Sequence, residues 1–316
     1  MKNNSETFEY LGFLVCPDCK SSLQNRAGSL ICVNKRCRKV YKIHGKIIDF
    51  LQLDNRKDLD LSISKWNNYY RKKKSANYEN QYRIYLRDNF ENVFKQISES
   101  KEISKKSVFL EIGCGPMYLA RTLADKCKLV VGVDFSYEAL KMAEKMFSAC
   151  GIKNYLLILS DINKMPIKDN TVDIVYGGGV IEHFKNTQQA LCEIHRVLSP
   201  GGISFNAVPH LNLGSLTYRQ MWGNIPDFPV LKQLAEFVHI KVLKARHMKF
   251  GYELSFLASR LKYMHKKAGF KKVYVGKFET KLMFEFIPNK RVKKFLDRLA
   301  NSSSLFWPMI KVIGVK

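Results

Sequence analysis

The chain has 316 residues, enough for one catalytic-sized domain and a smaller module, and at 46% hydrophobic residues it is globular rather than disordered. No window approaches the ~18 uninterrupted apolar residues of a membrane-spanning helix, and the polar start MKNNSETFEY lacks the order of a signal peptide, so a soluble cytoplasmic protein is expected. The net charge of +25 suits an anionic partner, the alternative being a lysine-rich composition with no bearing on function.

The first motif in chain order is a set of cysteines. Cys16 and Cys19 form a C-x2-C in VCPDCKSSL, and Cys32 and Cys37 form a C-x4-C in LICVNKRCRKVY. Two close pairs on turns between short strands bring four thiolates around one zinc ion, whereas a cytosolic chain disfavours disulfides. The segment YKIHGKIIDFL adds a strand, a glycine turn and another short strand, completing a zinc-ribbon module over residues 1–51. Cys114, Cys127, Cys150 and Cys192 lack ligand spacing and read as ordinary thiols.

Residues 52–107 are polar and rich in lysine and aromatics, without glycine or proline. They read as a helical linker or cover, with Trp66, Tyr69, Tyr70, Tyr78, Tyr82 and Tyr85 packing inward. From Val108 the pattern alternates strand and helix, the mark of an α/β fold with a doubly wound, Rossmann-like sheet. Strands are expected at VFLEIG, KLVVGVD, NYLLILSD, VDIVYGG and GISFNAVP. Helices are expected at about 117–126, 136–149 and 187–198, the last capped by Thr187 and stopped by SPGG.

The turn after the first of these strands contains Gly113 and Gly115 but places Tyr118 where a dinucleotide site needs its third glycine. Glu111 stands just before the turn, where a carboxylate repels a pyrophosphate and attracts a cation. S-adenosylmethionine fits this pattern, with an ammonium, a sulfonium, a ribose and no phosphate. Asp134, with Phe135 beside it, ends the next strand and suits the ribose hydroxyls. Asp161 and Ile162 follow the third strand and suit the adenine. In order, LEIGCGPM, VVGVDFS, SDINKMPIKDNTVDIVYGGGVIEHF and RVLSPGG resemble the class I S-adenosylmethionine-dependent methyltransferases, especially the ubiquinone- and menaquinone-biosynthesis group, over about residues 108–208. The resemblance implies a seven-stranded sheet over residues 108–316, with PMIKVIGVK as its final antiparallel strand, and the family's usual third glycine falls at Met117. The ribbon in turn resembles small zinc domains attached to some methyltransferases and to activators of tRNA methyltransferases.

GGGVIEHF follows the fourth strand. Gly177 allows close approach to the methionine end of the cofactor, and Glu182 and His183 are the candidate catalytic residues, His183 as a general base. The alternative for His183 is a structural role at the following helix, and His210 borders the same region. An insertion over about 211–254 reads as an acceptor lid that mixes aromatic and basic residues.

Charge is uneven along the chain. Residues 108–208 hold 10 Lys+Arg against 10 Asp+Glu, whereas residues 209–316 hold 21 against 6. The basic stretch RVKKFLDRLANSSSLFWPMI suits either packing on the sheet or a peripheral contact with a membrane surface. The favoured reading is a methyltransferase acting on an anionic small-molecule, lipid-linked or glycan acceptor. The alternative is an RNA methyltransferase that grips rRNA or tRNA with the ribbon and basic flanks, although the fourth motif lacks the Asn/Asp-Pro-Pro-aromatic signature of many base-amino methyltransferases.

Overall fold

The computed structural model describes residues 10–51, 60–73, 78–248, 251–278 and 287–316. The side chain of Tyr78, the first part of the expected linker and residues 249–250 of the expected lid lie outside this set. The chain divides into two compact units that cut across the segments 1–51, 52–107 and 108–316. Residues 1–176, 192–204 and 316 form the first unit, and residues 177–191 and 205–315 form the second.

In the first unit, β1 (Leu23–Arg26) and β2 (Ser29–Cys32) form a hairpin through Ala27 and Gly28. Both turn residues have positive φ, the two-residue geometry that matches strand twist. A second hairpin joins β3 (Val40–His44) to β4 (Ile47–Asp49) through Gly45 and Lys46. Helices α1 (Asp60–Lys73), α2 (Tyr78–Tyr85) and α3 (Glu91–Ser100) follow, with a π-helical turn at Leu86–Phe90 between the last two.

The alternating region then gives β5 (Val108–Ile112), α4 (Tyr118–Leu123), β6 (Leu129–Asp134), α5 (Tyr137–Ala149) and β7 (Tyr155–Leu159). Next come β8 (Val172–Gly178), α6 (Thr187–Val197) and β9 (Leu198–Pro209). β6 and β7 are buried at every position, as strands of a parallel sheet covered on both faces must be. The expected Thr187 cap is corrected: Thr187 begins α6 and donates its hydroxyl to the carbonyls of Ile181 and Phe184. Asn186 instead accepts from the Gln189 amide, because it stands one residue ahead of the helix, where a side-chain oxygen can reach back to the free amides of the first turn.

The second unit adds α7 (Leu213–Leu216), β10 (Ile225–Pro226), α8 (Pro229–Glu236), β11 (Leu254–Ser255), α9 (Ala258–Lys267), β12 (Lys272–Phe278), α10 (Lys290–Ser302) and β13 (Met309–Val315). Phe237–Val242 form a second π-helical turn after α8. β13 runs antiparallel to β12, as expected for the C-terminal strand.

The strand order is β1-β2-β3-β4-β7-β6-β5-β8-β9-β13-β12. The expectation of a seven-stranded sheet is therefore corrected to eleven among the described residues. Seven of these strands, β7-β6-β5-β8-β9-β13-β12, match the expected number, and the ribbon segment adds four more. β4 pairs in parallel with β7, Ile47 opposite Leu157, covering an edge whose amides and carbonyls would otherwise face water. Glu144 of α5 accepts from the Lys46 amide at 2.7 Å and holds the second hairpin in place. Arg196 binds Glu193, Asp169 and the carbonyls of Met165 and Ile167, while Lys20 bonds to the same Met165 carbonyl.

Candidate active site

The turn after β5 is left-handed at three alternate residues, Gly113, Gly115 and Met117 (φ 52°, 50° and 58°). The backbone thus asks for a third glycine where the sequence has methionine. The strained Met117 is wholly buried, and its thioether fills the space beside Gly132 on β6, so a side chain at residue 132 would collide with it. Packing compensates for the unfavourable dihedral.

Two acids converge on this turn from adjacent parallel strands. Asp134 accepts from the amides of Gly115 (2.8 Å) and Ser136 (2.7 Å), and Glu111 accepts from the Ala120 amide (2.8 Å) near the start of α4. Both are buried. Burial, aided by the nearby Asp134, pushes Glu111 up to about 8 against a partial offset from the Ala120 amide. Asp134 is raised to about 6 by burial, its backbone donors pulling the other way. Asp161 caps the short turn Ile162–Lys164 by accepting from Asn163, and Ile162 is buried beside it. Phe135 is half-buried.

The aromatic cover is partly as expected. Tyr70 of α1 is half-buried with its hydroxyl against Gly115, where even a Cβ would meet it at 2.6 Å. Tyr85 is hydrogen-bonded to Tyr176 near Glu111, and Tyr82 bonds to Thr122 at 2.8 Å. Tyr69, expected inside, is exposed at the edge of the Trp66–Tyr70 cluster, because it lies off the helix face that carries Tyr70. Asn67, which the pattern of aromatics did not single out, accepts from the Ser136 hydroxyl at 2.7 Å and ties α1 to the start of α5.

The second unit holds Glu182 and His183 on a short 3-10 turn (Ile181–His183) after Gly179, whose amide donates to Ala207. Glu182 is buried, and its Oε2 has no hydrogen-bond partner among the described residues. Burial raises it well above the ordinary carboxyl value, with Glu253 adding to the shift and Arg219 opposing it. Arg219 and Glu253 are buried too: Arg219 donates to Glu253 at 2.7 Å and to the Pro308 carbonyl at 2.7 Å. His183 Nδ1 lies 2.6 Å from the Tyr252 carbonyl, which can only accept, so Nδ1 carries the proton and Nε2 is the basic nitrogen. His210 accepts through Nδ1 from Asn212, and burial lowers its pKa. The Arg219–Glu253 pair had no short spacing to betray it, since its members stand at opposite ends of the expected lid.

The four ribbon cysteines also converge, with all four sulfurs within 4.8 Å of one another. Cys16 and Cys37 are 3.7 Å apart, and Cys19 and Cys32 are 3.3 Å apart. Sulfurs bound tetrahedrally at ~2.3 Å from a zinc ion stand ~3.8 Å apart, so this donor set fits a closed four-thiolate site. Tyr41 lies 3.0 Å from the Cys16 sulfur and bonds to Asp18, which Lys39 also engages at 2.9 Å. Such an outer ring orients ligands.

Residues 110–205 match the methyltransferase domain family. The chain is 32% identical over 138 residues to the malonyl-acyl-carrier-protein O-methyltransferase of Hamiltonella defensa, an alignment covering 43% of this chain and 51% of that protein. It is 32% identical over 114 residues to the demethylmenaquinone methyltransferase of Geobacillus stearothermophilus, covering 35% of this chain and 48% of the other. The chain thus spans about half the length of these curated relatives. Among solved structures, a chain from the complex of the Haloferax volcanii Trm112 methyltransferase activator with a methyltransferase superposes with a TM-score of 0.53 at 16% identity, over 80% of this chain and 96% of that one. The strand order and the family match give residues 110–205 the fold of a class I methyltransferase domain.

Proposed function

We propose that the chain is an S-adenosylmethionine-dependent methyltransferase with a small-molecule or lipid-linked acceptor, and that its ribbon holds one structural zinc ion. The observation that carries this reading is the pair of buried acids, Glu111 and Asp134, at adjacent strand ends around the glycine turn. Each is held above its ordinary pKa by burial, a penalty that a cationic ligand relieves. When bound, the cofactor supplies a methyl group on a positively charged sulfur.

Within the chain, Glu111 would face the cationic end of the cofactor and Asp134 the ribose hydroxyls, with Phe135 alongside. Asp161 and Ile162 would receive the adenine, and the glycines at 113, 115 and 177 leave room for close backbone approach. His183 Nε2 would hold the proton that the acceptor gives up on methylation. Glu182, held toward its protonated form, would donate a hydrogen bond that orients the acceptor. The substrates that the two relatives are named for, malonyl-acyl-carrier protein and demethylmenaquinone, support a small or lipid-like acceptor over RNA.

Calorimetry tests the cofactor assignment. Asp134→Ala should weaken S-adenosylmethionine binding by ~2 to 3 kcal/mol, roughly 30- to 150-fold. Unchanged affinity would remove Asp134 from the site. Labelled methyl transfer into lipid, small-molecule and RNA extracts then separates the acceptor classes, and incorporation into RNA alone would overturn the preferred one. For the ribbon, metal analysis of protein prepared without chelators should give one zinc per chain, falling toward zero in Cys16→Ser, Cys19→Ser. A metal-free parent would count against the site.

A further inference from the structure

We propose that the second unit docks on an anionic lipid bilayer through α8 with the turn that follows it and through α10. Both segments turn their apolar stripes to solvent among the described residues. On α8 and its turn, Val230, Leu234 and Phe237 recur at helical spacing, and Val230 is 71% and Leu234 59% exposed. On α10, Val292, Phe295 and Leu299 do the same, with Phe295 at 65%. An amphipathic helix normally buries that stripe. Here α8 buries no residue and α10 buries only Ala300.

Hydrogen bonds stitch the two segments through the chain between them. His239 of the π-helical turn bonds to Gln220 at 2.8 Å. Tyr218, two residues earlier, donates to the Phe306 carbonyl beyond α10, and the Gly214 amide donates to Leu305. The intervening stretch exposes Leu213, Leu216 and Met221 as well. Apolar exposure on this scale marks an interaction surface.

Charge selects the occupant. Lys290, Arg291, Lys294 and Arg298 are exposed around the α10 stripe, and Lys241, Lys244 and Arg246 follow the α8 stripe. Residues 209–316 carry 21 basic residues against 6 acidic ones. A second copy docking by a two-fold axis would set this positive surface against itself, and RNA would satisfy the cations while leaving the aliphatic stripes wet. A bilayer with anionic headgroups satisfies both, apolar side chains entering the acyl boundary while lysine and arginine meet phosphate. The inference stands apart from the methyl-transfer reading, since it concerns a surface and not the cofactor turn.

The test is co-sedimentation of the full chain with vesicles of phosphatidylcholine alone or mixed in equal parts with phosphatidylglycerol. The parent should pellet with the mixed vesicles, stay in solution with phosphatidylcholine alone and be released by high salt. Leu234→Glu, Phe237→Glu and, separately, Phe295→Glu, Leu299→Glu should each weaken binding by about tenfold or more. The exposed charge reversal Lys290→Glu, Lys294→Glu should do likewise without touching an apolar residue. Absent pelleting, or binding unchanged in all three variants, overturns the proposal. So does light scattering that shows a dimer which the apolar variants convert to monomer while vesicles go unbound, since the surface would then belong to a second copy.

Discussion

Two buried acid clusters, one in each unit, meet their desolvation in opposite ways. Around the glycine turn, Glu111 and Asp134 are served by backbone amides, and both carboxyls stand above their ordinary range. In the second unit, Glu253 has its cation built in, because Arg219 is buried against it. The contrast separates residues that fold the protein from residues that await a ligand. A carboxylate with an internal arginine is complete, whereas a pair of acids served only by amides gains most from a cation that arrives from outside.

Breaking the internal pair should produce the largest effect. Arg219→Ala leaves Glu253 buried without its cation and should cost about 3 to 5 kcal/mol of stability, read from chemical denaturation. Arg219→Met with Glu253→Leu should recover much of that loss. If the single variant were as stable as the parent, Arg219 would not be the counter-charge of Glu253.

The next effect concerns chemistry alone. His183→Ala should lower the single-turnover rate by about 10²-fold while leaving cofactor affinity and thermal stability nearly intact. Equal rates would leave His183 as an anchor for the Tyr252 backbone.

The smallest effect sharpens the comparison by pH. Glu111 has a folded pKa of about 8, above the ordinary carboxyl value of 4.5. Stability linked to its protonated form is therefore complete below about pH 4.5 and is lost as pH rises through 8. Glu111→Gln keeps a neutral acceptor for the Ala120 amide, so it should melt like the parent at low pH and be more stable above pH 8. Saturating S-adenosylmethionine should erase that advantage, because a bound cation favours the carboxylate. An equal gain at every pH would point to packing instead of protonation.

Much of the first unit was legible in the sequence. Strand ends at Glu111, Asp134 and Asp161 could be located because an apolar run, a glycine or acid and a helix start recur at fixed intervals. Local rules also failed locally: Asn186 and Thr187 are both good caps, and only the backbone decides which lies outside the helix. The eleven-stranded sheet was not legible, since nothing in residues 47–49 announces that their partners are residues 157–159. Nor was the Arg219–Glu253 pair, whose members are brought together by the pairing of β10 with β11. The π-helical turns at Leu86–Phe90 and Phe237–Val242 interrupt patterns that continue smoothly through them.

The junction of β4 with β7 also sets an order of events for a newly made chain. Both ribbon hairpins close over two-residue turns, and the four cysteines lie within a short span, so the ribbon can form from near neighbours. The β4–β7 ladder joins residues far apart in sequence and must await β5, β6 and their helices. Contacts of such long separation form slowly. The ribbon should therefore emerge from the ribosome as an early, self-closing unit, and the parallel sheet should receive it as a finished edge.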